Sequence, residues 1–135
     1  SIQAQILNLL KDLQEERNLT CIFITHDLSV VHHFSDEIAV MYLGHVVEKA
    51  PAEELFQRPL HPYTRALLSA IPIPDLSVRK SRIILKGEVS SPIGLPDECR
   101  FKSRCYEYSQ ACEGREPELV EVSPNHFAAC RCRAK

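Results

Sequence analysis

Thr20-Cys-Ile-Phe-Ile-Thr-His-Asp-Leu28 is a short, β-branched apolar run that breaks off at a histidine and an aspartate. It lacks the apolar–polar alternation of a strand with one wet face, so it predicts a buried parallel strand over residues 20–25, with Cys21 in the core. Upstream, Ile2, Ile6, Leu9, Leu10 and Leu13 share one face of an amphipathic helix expected over residues 1–17, with Asn18 as its stop. Downstream, Asp27 to Phe34 predicts a short helix capped near His26 and Asp27. Glu37 to Leu43 reads as another apolar strand, Gly44 as a turn, and His45 to Lys49 as a strand returning beside it.

The chain then changes character. None of its nine prolines precedes Pro51, and seven lie from Pro59 to Pro117. Pro51 predicts a helix start with Glu53 and Glu54 in the first turn, where the helix dipole favours them. Pro62 opens the next helix, with Tyr63, Ala66, Leu67 and Ala70 expected on its inner face until Pro72 and Pro74 end it. Residues 75–80 read as a polar linker, Arg82 to Leu85 as a strand, and Ser90 to Pro96 as turns. The remainder, from Cys99 to Lys135, carries short helical stretches at most, and its loops call for a ligand to hold them.

That tail holds five of the six cysteines: Cys99, Cys105, Cys112, Cys130 and Cys132. Such density points to a metal, an iron–sulfur cluster or disulfides. Residues 1–11 contain no signal-peptide pattern, and no apolar run is long enough to span a bilayer, so reduced thiols in an intracellular chain are the expectation. The spacing includes no C-x2-C knuckle and differs from ferredoxin patterns, so it does not by itself choose between zinc and iron. A free-standing metal-binding or redox-sensing module is one reading of the tail. The formal net charge of −2 gives no electrostatic case for nucleic acid. Arg100, Lys102, Arg104, Arg115, Arg131 and Arg133 surround the thiols in sequence. His32 and His33 are adjacent on a helix and point to different faces, which disfavours a chelate.

Ile24-Thr-His-Asp-Leu28, followed by Val40-Met-Tyr-Leu-Gly44, resembles the ATP-binding subunits of ABC transporters. Ser1-Ile-Gln-Ala-Gln5 resembles the helix start after their Walker B and D-loop segment. His61-Pro-Tyr-Thr64 with Leu67-Leu68 resembles the oligopeptide, dipeptide and nickel importer subfamily. The tail, Cys99-x5-Cys105-x6-Cys112-x17-Cys130, resembles that subfamily's C-terminal extension.

The resemblance implies an α/β fold: the C-terminal part of a P-loop NTPase core of the ABC, RecA-like type over residues 1–74. A linker and small irregular cysteine-rich extension would follow over residues 75–135. It implies His26 as the switch histidine that contacts the γ-phosphate of ATP, making it both catalytic and nucleotide-binding, with Mg²⁺ and ATP held by the intact subunit. It implies a [4Fe–4S] cluster on Cys99, Cys105, Cys112 and Cys130, replaceable by zinc or lost in a recombinant chain, with Cys132 a spare thiol that could exchange with Cys130. The implied partners are a second ATP-binding subunit, transmembrane permease subunits and an extracytoplasmic peptide-binding protein, at the cytoplasmic face of the membrane, and no nucleic acid. Phosphate-loop, Walker B, signature-loop and D-loop motifs do not occur in this sequence, so the chain alone is expected not to hydrolyse ATP. The strand over 20–25 would expose two apolar edges, and is expected to pair with Ile38–Leu43 or to drive self-association.

Overall fold

The structure is a computed structural model that describes residues 2–72 and 81–133. The expected linker at 75–80 and the boundary between residues 74 and 75 lie outside the described residues. By their contacts, Ser1–Ser35 and Asp36–Lys135 form two separate units. No helix among the described residues is long and apolar enough to cross a membrane.

In the first unit, α1 spans Ile2–Arg17. Its stop is the one expected: Asn18 takes a positive φ of 50°, and the Leu19 amide bonds back to the Gln14 carbonyl at 3.0 Å, closing a Schellman turn. The apolar stripe is present but uncovered, with Ile2, Ile6 and Leu9 all exposed. The run over residues 20–25 is a correction. It forms no strand, Cys21 is exposed rather than core, and Ile22 and Ile24 are more than nine-tenths exposed. A strand needs a ladder on at least one edge. The Ile38–Leu43 segment expected as its partner is committed to a hairpin instead. Helix α2, Leu28–Phe34, is capped by Asp27, whose carboxylate accepts the Ser29 amide at 2.9 Å.

The second unit is built on strands β1, Glu37–Tyr42, and β2, His45–Pro51. Ile38, Val40 and Tyr42 are buried while Glu37, Ala39 and Met41 are exposed, the period-two pattern of a sheet wet on one side. Leu43 and Gly44 join the strands with φ of 44° and 81°, as a two-residue primed turn requires. The pairing Val40↔Glu48 followed by Met41↔Val46 leaves Val47 as an extra residue. This bulge lets Val47 and Glu48, neighbours in sequence, both be buried.

Pro51 ends β2 and leads into α3, Ala52–Gln57, whose Leu55 is fully buried. Helix α4 spans Pro62–Ser69. Its buried residues are Pro62, Thr64 and Ala66, whereas Ala70, expected inside, is exposed. Residues 82–85 form no strand, a second correction.

The tail is more ordered than its composition suggests. Strands β3, Val120–Ser123, and β4, His126–Ala128, join through Pro124 and Asn125, the latter with φ 60°, a turn geometry that suits proline then asparagine. Strand β4 pairs with β2, giving an antiparallel sheet of order β1-β2-β4-β3. The expected α/β architecture is therefore seen as mixed α and β, with a sheet that is wholly antiparallel among the described residues. The β2–β4 pairing is also why hairpin and tail fall in one unit.

Gly44 has φ 81° and no atom within 4 Å of where a Cβ would stand, so its constraint is purely conformational. Gly44→Ala is expected to cost about 1 kcal/mol, read as a lowered thermal midpoint. An unchanged midpoint would contradict the turn assignment.

Candidate functional site

Glu48 has no exposed surface, yet its carboxylate is fully engaged. Oε1 accepts the Leu60 amide at 2.7 Å and Oε2 the His61 amide at 2.8 Å. His126 Nε2, also buried, stands 2.7 Å from Oε1, and its Nδ1 lies 3.5 Å from Glu54 on α3. One carboxylate thus joins β2, the entry to α4 and β4.

The His61-Pro-Tyr-Thr64 segment completes that entry. His61 is the N-cap: its Nδ1 accepts the Tyr63 amide at 3.1 Å, and Pro62 at the first helical position has no N–H to satisfy. Accepting through Nδ1 requires the neutral ring with its proton on Nε2. Burial agrees, pushing the His61 pKa down to about 4. His61 and Tyr63 then pack with Tyr42 against Phe101, with ring centroids 4.8–5.5 Å apart. Phe101 is 1% exposed and anchors the loop that carries Cys99 and Cys105.

Four of the sequence-predicted ligands meet there. Cys99, Cys105, Cys112 and Cys130 line one small cavity that opens to solvent, walled by His61, Pro62, Phe101, Tyr108 and Pro117. Short turns aim them: Lys102–Arg104 and Gln110–Cys112 are single 3₁₀ turns, and Cys130 follows β4, where the Ala129 amide bonds the bulged Val47 carbonyl at 2.8 Å. Burial raises the thiols of Cys99 and Cys130 and pushes Cys105 up to about 11. Cys112 differs. Burial alone would raise it, but hydrogen bonds from Cys132 and Ser109 leave it below the ordinary thiol value. Cys132 does not line the cavity; its Sγ lies 3.1 Å from that of Cys112, a contact that raises the Cys132 thiol.

Of the six basic residues near the thiols in sequence, Lys102 and Arg131 line the cavity. Arg100 instead bonds Glu116 and the Leu43 carbonyl, and Arg133 bonds Glu107 and the Leu60 carbonyl. Arg115 faces Asp97 at 3.5 Å, and Arg104 reaches the Lys86 carbonyl. In the other unit, His26 sits exposed at a bend, its backbone flanked by the Asp27 amide bonded to Thr25 Oγ1 at 3.1 Å. The His32 and His33 rings are tilted at 48° to each other with centroids 4.9 Å apart, and among the described residues no group of three metal-binding side chains is close enough to share an ion. Sequence reasoning missed Glu48. The one usable signal was an acidic residue inside the apolar run of a strand.

Residues 47–112 match the family model described as the oligopeptide/dipeptide transporter C-terminal region. The chain is 53% identical over 132 residues to the putative oligopeptide transport ATP-binding protein YkfD of Bacillus subtilis, covering 96% of this chain and 40% of that protein. It is 52% identical over 132 residues to the oligopeptide transport ATP-binding protein AppF of the same organism, with the same coverage. Identity to the dipeptide transport ATP-binding protein DppF of Haemophilus influenzae is 47% over 130 residues, again 96% of this chain and 40% of the relative. The chain spans about two fifths of the length of the curated relatives it matches.

A histidine titrates near 6.5 when unfolded and His61 near 4 when folded, so the unfolded chain binds more protons between these values. The stability contributed by neutral His61 is complete above 6.5 and is lost as pH falls toward 4, about 3 kcal/mol in all. Denaturant titrations across that window are expected to show this acid limb, and His61→Asn, which preserves the cap, to flatten it. An identical acid limb in His61→Asn would contradict the assignment.

Proposed function

We infer, from similarity covering 96% of the chain to ATP-binding subunits of peptide transport systems, that it is the portion of such a subunit bearing the switch histidine and the cysteine-rich extension. That breadth of similarity is the observation that carries the reading. The intact subunit binds ATP with Mg²⁺ and couples hydrolysis to import of oligopeptides, dipeptides or nickel. It acts at the cytoplasmic face of the membrane, beside a second ATP-binding subunit and against transmembrane permease subunits, with an extracytoplasmic binding protein supplying cargo. Residues 1–74 belong to its nucleotide-binding domain and residues 75–135 to the extension.

His26 is the residue that contacts the γ-phosphate in the intact subunit. Its exposure on a bend held by Thr25 and Asp27 supports that role, because phosphoryl transfer depends on a donor fixed in position yet free to reach the phosphate.

Cys99, Cys105, Cys112 and Cys130 hold a [4Fe–4S] cluster. One observation supports this: the four thiols line one cavity, the same set that the resemblance gives to the cluster. A four-iron cluster takes one thiolate on each iron. Arg131 on the wall adds positive charge beside the four thiolates, while the Lys102 ammonium is paired with Glu98 at 2.7 Å. Bound there, the cluster would add a cross-link between the Cys99–Cys112 loops and the segment after β4. Cys99, Cys105 and Cys130 must each give up a proton that burial holds tightly, so loading weakens as pH falls.

Anaerobic purification followed by iron, sulfide and zinc analysis is expected to find near-stoichiometric iron and sulfide, lost in Cys99→Ser and kept in Cys132→Ser. Near-stoichiometric zinc without iron would overturn the cluster assignment.

A further inference from the structure

Cys132 has no place in the four-thiol set, but it is not an isolated thiol. Its Sγ stands 3.1 Å from Cys112 Sγ, the one thiol–thiol contact among the described residues, and both sulfurs are free. A disulfide needs the sulfurs at about 2.05 Å, so bonding requires a displacement of about 1 Å shared between two short side chains. The backbone permits it. Cys112 closes a three-residue 3₁₀ turn and Cys132 lies in the turn after Cys130, neither being part of the sheet. Glu113 and Arg131 beside them are exposed, so a small oxidant reaches the pair from solvent.

We propose that Cys112 and Cys132 form a reversible intrachain disulfide, made by hydroperoxide-class oxidants and broken by thiols, whose closure withdraws Cys112 from the cavity shared with Cys99, Cys105 and Cys130. The chemistry balances with the peroxide as the two-electron oxidant. One thiol attacks the peroxide, the O–O bond breaks, water (or the alcohol, from an alkyl hydroperoxide) leaves and a sulfenic acid remains; the second thiol attacks that sulfur, the S–S bond forms, the S–O bond breaks and water leaves. Reduction by two equivalents of thiol restores both S–H groups. With the pair closed, three thiols remain on the cavity, one fewer than a cluster of the proposed kind takes. Cys132 is thus a gate on ligand availability. The disulfide stands on its own geometry, whereas its consequence for loading rests on the cluster reading above.

The test uses the full chain, metal-free and reduced, treated with one equivalent of hydrogen peroxide, quenched, alkylated and mapped by non-reducing peptide mass spectrometry. The expected result is a Cys112–Cys132 cross-link reversed by dithiothreitol, with Cys99, Cys105 and Cys130 alkylated. Cys132→Ser should leave Cys112 alkylated as well. Alkylated Cys112 in the oxidised wild type, or Cys112 joined equally to other thiols, would overturn the proposal. In a second arm, iron and sulfide are supplied anaerobically without reductant. The reduced chain should load, the oxidised chain should not, and Cys132→Ser should load after either treatment. Equal loading of oxidised and reduced wild type would overturn the gate. Failure of every form to load, with the cross-link still mapped, would support the disulfide and overturn the cluster reading.

Discussion

A single buried carboxylate holds the second unit together. Glu48 lies on the bulged part of β2 with none of its surface in water, a placement that costs several kcal/mol unless every lone pair is used. Here it takes two backbone amides ahead of α4 and the imidazole of His126 on β4. A carboxylate suits this position because it accepts on two oxygens at once and donates nothing. Remove it, and two amides and a buried ring lose their partner together. The hairpin, the His61 helix entry and the tail then have little reason to stay in register.

The cavity depends on that register. Seating the start of α4 places His61 and Tyr63 against Phe101, and Phe101 carries the Cys99–Cys105 loop. Seating β4 brings Cys130 to the same wall through the Ala129–Val47 hydrogen bond. Glu107 adds a second tie, pairing with both Arg65 on α4 and Arg133 at the end of the described tail. The thiols thus converge through contacts that involve no cysteine.

Local features were legible in the sequence. The alternation of Ile38, Val40 and Tyr42 with a Gly44 turn gave the hairpin, Asn18 ended α1, Asp27 capped α2, and Pro62 opened α4. Long-range ones were not. Val120 to Ser123 is too short and too polar to announce a strand, and it exists because β4 pairs with β2. Thr20 to Thr25 has the composition of a buried strand, but composition cannot supply the neighbours that a strand requires. The ligand set was read from a resemblance, since cysteine spacing left zinc, iron and disulfides open. The 3.1 Å contact that sets Cys132 apart has no sequence signature at all.

If Glu48 is the latch, the elements it joins open together. Native-state hydrogen exchange reads this directly at the amides of Leu60 and His61, which donate to Glu48, and of Ala129, which seals β4 onto the bulge. One shared opening free energy is expected for all three amides, with a parallel fall at all three in Glu48→Gln. Exchange of Ala129 through a separate, lower-energy opening, with Leu60 and His61 still protected, would contradict it.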